Sequence, residues 1–151
     1  MVRHSLTPAF AAVVLALVTS APMAAVAMPL ITPEEAALPP LKGAVPNAGR
    51  GITRGPKIQV TEVEGLHPSP MRFHVKFQTY GGSNIDLDAL KVTYLKSPVV
   101  DLTARIKPFV QAAGIDMPDA QLPPGEHLVR VDVKDSEGRT ASTSFLLKIA
   151  H

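Results

Sequence analysis

Hydrophobic and polar positions alternate most regularly over residues 126–149, EHLVRVDVKDSEGRTASTSFLLKI. On the first run His127, Val129, Val131 and Val133 share one face, and Leu128, Arg130, Asp132 and Lys134 the other. On the second, Thr143, Phe145, Leu147 and Ile149 share one face, and Ser142, Ser144, Leu146 and Lys148 the other. A period of two over both runs predicts two half-buried antiparallel strands. Residues 135–139, DSEGR, form the hairpin loop between them, with Gly138 free to take positive φ. Symmetric closure then sets Lys134 opposite Thr140 and Leu128 opposite Leu146.

The same alternation recurs upstream. Met71, Phe73, Val75 and Phe77 alternate with Arg72, His74, Lys76 and Gln78, a second strong strand. Ile58-Gln59-Val60 predicts an edge strand whose phase slips before Val63, the mark of a bulge. Leu90, Val92 and Tyr94 share a face of a strand over 91–95. Between 97 and 124 the pattern changes. Leu102, Ile106 and Phe109 are spaced for one helical face, and Pro108 stops it, so a short helical turn is predicted near 102–107. A short strand follows within 115–122, limited by Pro118. Short strands, Pro and Gly turns and no long helix predict an all-β chain of about seven strands in two sheets packed face to face.

The N-terminal third reads differently. Arg3 and His4 precede an apolar run over 9–18, and Ala25-Val26-Ala27 carries small residues where a signal peptidase reads. Residues 1–27 are therefore expected to be a signal peptide; the alternative is an uncut anchor, but the run is shorter than the ~20 residues of a membrane span. Residues 28–56 hold Pro at 29, 33, 39, 40, 46 and 56 and show no sustained period. They predict a Pro-rich flexible tether, with Thr32-Pro33-Glu34-Glu35 able to start one or two helical turns. The domain is then expected over 57–150.

Composition narrows the class. The chain has no Cys, which removes disulfides, zinc–thiolate sites, cysteine nucleophiles and a lipid anchor together. Burial alone must hold the fold, and roughly 95 residues suffice for a core. A periplasmic or secreted location is expected. The first 27 residues hold one of 15 basic and none of 13 acidic residues, which leaves the rest near neutral with mixed charges. That is not a nucleic-acid footprint, and scarce aromatics with no Trp weaken stacking on bases or sugars.

Residues 122–139, LPPGEHLVRVDVKDSEGR, resemble the penultimate strand and turn of bacterial immunoglobulin-like and fibronectin-III-like domains. Ile85-Asp86 and Ala89-Leu90-Lys91-Val92 resemble their middle strand entry. The resemblance covers about 57–149 and implies an immunoglobulin-like antiparallel β-sandwich. It further implies a binding module, spacer or assembly part, an analogy from fold. Residues 102–119 depart from it, being longer and more apolar than a simple crossover.

Catalytic signals are missing from the sequence. It has no Gly-x-Ser-x-Gly, no Ser-x-x-Lys and no glycine-rich phosphate loop, so no enzyme, catalytic residue or cofactor is expected. His67, His74, His127 and His151 show no ligand spacing, and Met71 and Met117 stand apart. Asn84-Ile85-Asp86-Leu87-Asp88 alternates oxygen donors but lacks the remaining calcium-loop ligands. Asp86 and Asp88 are thus weak metal candidates for a second reading, a periplasmic metal-ion or small-ligand binding protein. The leading reading is a non-catalytic binding or envelope-assembly module acting through a sheet face. If the 91–95 strand pairs with the first hairpin strand, Leu95, Leu128 and Leu146 cluster on the outer face, rimmed by Arg130 and Lys148. Such a patch faces another envelope or secreted protein, or a covering segment from 98–120 or the tether, or is a set of single exposed leucines without consequence.

Overall fold

The computed structural model describes residues 28–47, 54–61 and 64–151. The expected signal peptide and the expected phase slip before Val63 lie outside the described residues. In chain order the elements are β1 (Met28–Pro29), α1 (Pro33–Ala36), β2 (Lys57–Val60), β3 (Leu66–His67), β4 (Met71–Gln78), β5 (Lys91–Tyr94), β6 (Val100–Asp101) and α2 (Thr103–Ile106). A 3-10 turn (Lys107–Phe109) leads to β7 (Val110–Gln111), β8 (Gly114–Gln121), β9 (Gly125–Lys134) and β10 (Thr140–Ile149).

Two five-stranded sheets result. The first runs β1-β8-β4-β2 with β7 also on β8, and the second runs β3-β10-β9-β5-β6. Both are mixed, not purely antiparallel as expected: β1 lies parallel to β8 and β3 parallel to β10, over two residues each. Ten strands stand among the described residues where about seven were expected. Four of the ten, β1, β3, β6 and β7, have two residues each, too short to show a period.

Alternation built the core. Phe73 and Val75 of β4 and Ile115 and Met117 of β8 are buried in one cluster with Val129, Val131, Phe145 and Leu147 of the hairpin. The Phe73 and Phe145 rings stack across the two sheets with centroids 6.1 Å apart. Each such side chain contributes ~1.5–3 kcal/mol by leaving water. Pro118 does not shorten β8 as expected. Phe73 pairs with Met117 and Met71 with Ala120, so two steps on β4 meet three on β8, and Pro118 sits in that irregularity where no ladder bond is asked of it. The turn near 102–107 forms as α2 and the 3-10 turn, with Leu102 and Ile106 fully buried.

The flexible-tether expectation is corrected for residues 28–47. Leu30 and Ile31 are buried at 0% and 1% exposure, inside the core. Thr32 caps α1 with a reciprocal pair: Glu35 N donates to Thr32 Oγ1 at 3.3 Å and Thr32 N donates to Glu35 Oε2 at 3.0 Å. Arg105 of α2 donates to both Glu35 oxygens and to the Leu30 carbonyl. Lys96 Nζ donates to the Ala36 and Leu38 carbonyls, 2.9 Å each. The segment thus starts against the first sheet at β8 and reaches the second at β5. Leu30-Ile31 is too short a run to carry a period, and prolines that forbid long elements do not forbid docking.

The hairpin closes as its pattern predicts, with Lys134 opposite Thr140 and Leu128 opposite Leu146. Its turn is held from within. The buried Asp135 carboxylate accepts from Glu137 N, Arg139 N and Arg139 Nε at 3.0, 2.9 and 2.7 Å. Arg139 also donates to the Tyr80 carbonyl and to Ser83 Oγ, tying the turn to the loop after β4.

Candidate functional site

The side of the hairpin that the core does not use forms the outer face of the second sheet. Register places Thr93, Arg130 and Ser144 in one row across β5, β9 and β10. The next row is Leu95, Leu128 and Leu146, since Leu95 N donates to the Leu128 carbonyl at 2.9 Å just past the end of β5. The three leucines therefore adjoin as the sequence suggests, and each is half-buried. Glu126 and Lys148 stand opposite each other beyond them.

A strap of residues 41–47 crosses this face. Leu41 N donates to the Leu95 carbonyl at one edge, and Asn47 exchanges two backbone bonds with Ser144, 2.8 and 3.0 Å, at the other. Ser144 Oγ donates to the Val45 carbonyl and Thr143 Oγ1 to the Asn47 carbonyl. The strap, not 98–120, is the covering segment, and it covers the face in part. A hollow of about 310 Å³ lies between it and Leu95, Arg130 and Ser144. Thr93 and Ser144 beneath are buried, whereas Leu128 and Leu146 keep partial exposure.

Two residues missed in the sequence enlarge the apolar surface. Leu66 of β3 pairs with Lys148, so it shares the outer side, diagonal to Leu146, and is 67% exposed. Val45 on the strap is 65% exposed. Neither belongs to an alternating run of any length, so no local signal marked them. The rim cations are both paired: Arg130 with Asp132 at 2.7 Å and Lys148 with Glu126 at 3.2 Å. These pairs are partly exposed and are worth ~0–1 kcal/mol each. They order the rim around the leucines and leave it close to neutral.

The other candidates do not converge. Asp86 Oδ1 accepts from the Asp88 and Ala89 amides, a turn cap. Asp88 is 95% exposed, 4.0 Å from Lys107 Nζ. Among the described residues no three His, Cys, Asp or Glu side chains gather. His127 is buried in the core: its Nε2–H donates to the Pro123 carbonyl at 2.7 Å, so Nδ1 is the acceptor for the Tyr94 hydroxyl at 2.9 Å. Desolvation lowers the pKa of His127 and raises that of Tyr94 to about 12, with the Glu35 charge adding to the latter. This buried pair has both partners satisfied and no opening to solvent.

Among the described residues no helix is long and apolar enough to cross a membrane. No protein-family model, curated protein or solved structure matches the chain.

Proposed function

We propose that this chain is an exported, non-catalytic binding or envelope-assembly module with an immunoglobulin-like sandwich, which docks a partner protein on the outer face of its second sheet. The carrying observation is the apolar row of Leu128 and Leu146 with Leu66 diagonal to Leu146 on the outer face, beside a near-neutral rim of ion pairs, with Leu66 and the strap residue Val45 each about two-thirds exposed. Partner sites are apolar at the centre and polar at the edge, and large exposed apolar side chains that adjoin one another cost solubility unless a surface uses them. The export expectation rests on the pattern of residues 1–27. The partner is another periplasmic or secreted protein that presents an apolar patch of its own.

A photo-crosslinking residue at position 66 tests the reading in cells. One discrete crosslinked species from position 66, absent when the crosslinker sits at 78 on the other sheet, supports it. Loss of that species in Val45→Glu, with melting unchanged, localises the contact to the strap side. Equal crosslinking from both sheets, or none from 66, overturns it.

A further inference from the structure

The outer face of the second sheet has a step in it. On one side of the leucine row the strap rides over Arg130 and Ser144, and the bond from Ser144 Oγ to the Val45 carbonyl, 3.0 Å, holds Val45 there. On the other side the next row, Leu66, Lys148 and Glu126, is exposed. A raised edge and an open edge thus flank one apolar row.

The two sides match each other. Leu66 and Val45, the two most exposed large apolar side chains among the described residues, lie on opposite sides of the row. So do Glu126 and Arg130, each two residues from Leu128 on β9 and each exposed. A half-turn about an axis laid along the row exchanges the two sides. It sets the strap of one molecule over the open row of another. Leu66 then meets Val45 and Glu126 meets Arg130, each contact made twice, and the leucines meet their own copies. A two-fold interface requires this kind of self-complementarity. An unrelated partner would have to match the step, the apolar pair and the charges independently. The rim carries two cations and two anions, so two identical faces need not repel.

We propose that the partner of this face is a second copy of the chain, paired about a two-fold axis along the row of Leu95, Leu128 and Leu146. The inference rests on the docking role proposed above for this face and names its occupant.

Sedimentation velocity of the purified protein, as the cell processes it, tests the pairing. A reversible dimer is expected to appear between about 10 and 500 µM, the behaviour of a small interface. Glu126→Arg and Arg130→Glu, both at exposed positions and both expected to melt as the parent does, each weaken self-association at least about tenfold. An equimolar mixture of the two restores it, because each variant offers the charge that the other lacks. The chain has no cysteine, so introduced thiols report the geometry. Oxidation of a mixture of Leu66→Cys and Val45→Cys is expected to join the two variants faster than it joins either to itself. A monomer at every concentration, a dimer indifferent to both charge changes, or equally fast self-joining of Leu66→Cys overturns the proposal. If the protein is monomeric while the crosslinker at 66 still yields one species whose mass is not twice that of the chain, the docking face stands and the second copy is what fails.

Discussion

Arg105 and Glu35, 70 residues apart in sequence, meet through two hydrogen bonds of 2.7 and 2.6 Å. The same carboxylate closes the capping box of α1, so one side chain both starts the helix and anchors it to α2. The bonds from Arg105 hold the Glu35 carboxyl below the usual carboxylate range, against the opposing effect of burial. With Lys96 on the helix end and Asn47 on Ser144, the N-terminal segment clamps one sheet to the other.

Truncating this clamp at its buried end should cost stability. Leu30→Ala is expected to lose about 2–5 kcal/mol, the range for emptying a fully buried leucine site. Glu35→Gln should lose about 1–2 kcal/mol, since a charged bidentate pair becomes a neutral contact. Urea unfolding reads both. Midpoints equal to the parent chain would mean that the segment is not part of the cooperative unit.

His127 should give the fold an acid-sensitive step. Its folded pKa is depressed, so between that value and the ordinary ~6.5 the unfolded chain binds more protons than the folded one. The stabilisation is therefore full above about pH 6.5 and is lost as pH falls through the folded value. Glu35, Asp101 and Asp135 are also depressed, but as carboxylates they act at lower pH. Melting temperatures at about pH 7.5 and 5 should differ more for the parent than for His127→Gln, whose amide can serve both Pro123 and Tyr94. Identical pH slopes would count against the buried, neutral histidine.

The hairpin turn should depend on Asp135 rather than on Gly138 alone. Asp135→Ala removes three accepted bonds at once. Amide exchange at Glu137, Arg139 and Ser136 is expected to accelerate, while Val129 and Val131 in the core keep their protection. Unchanged exchange at the turn would assign its order to the backbone.

Gly114→Ala should be among the most damaging single changes, because the new methyl meets the Val75 carbonyl in the middle of the first sheet. A loss of at least about 3 kcal/mol, or failure to accumulate as folded protein, is expected. Gly43→Ala, with open space at the Cβ position, is the control, limited to the strain of its positive φ. Comparable stability of the two variants would contradict the close approach of β8 to β4.

Local pattern accounts for a definite share of this protein. The alternation at 126–149 determined β9, β10, their register and the division of their side chains between core and exterior, because a period of two is written within a few residues. The same held for β4. It also placed Leu128 opposite Leu146 and brought Leu95 beside them once β5 was paired. Tertiary structure alone decided what that outer face became. The strap reaches it through bonds between residues 97 apart, Asn47 and Ser144, and Leu66 arrives on a two-residue parallel strand. Neither contact leaves a periodic trace, since each is made by side chains or single peptide groups that any loop could carry. The burial of Leu30 and Ile31 was hidden for the same reason: two apolar residues among prolines have no period, and only the space between the sheets shows where they go.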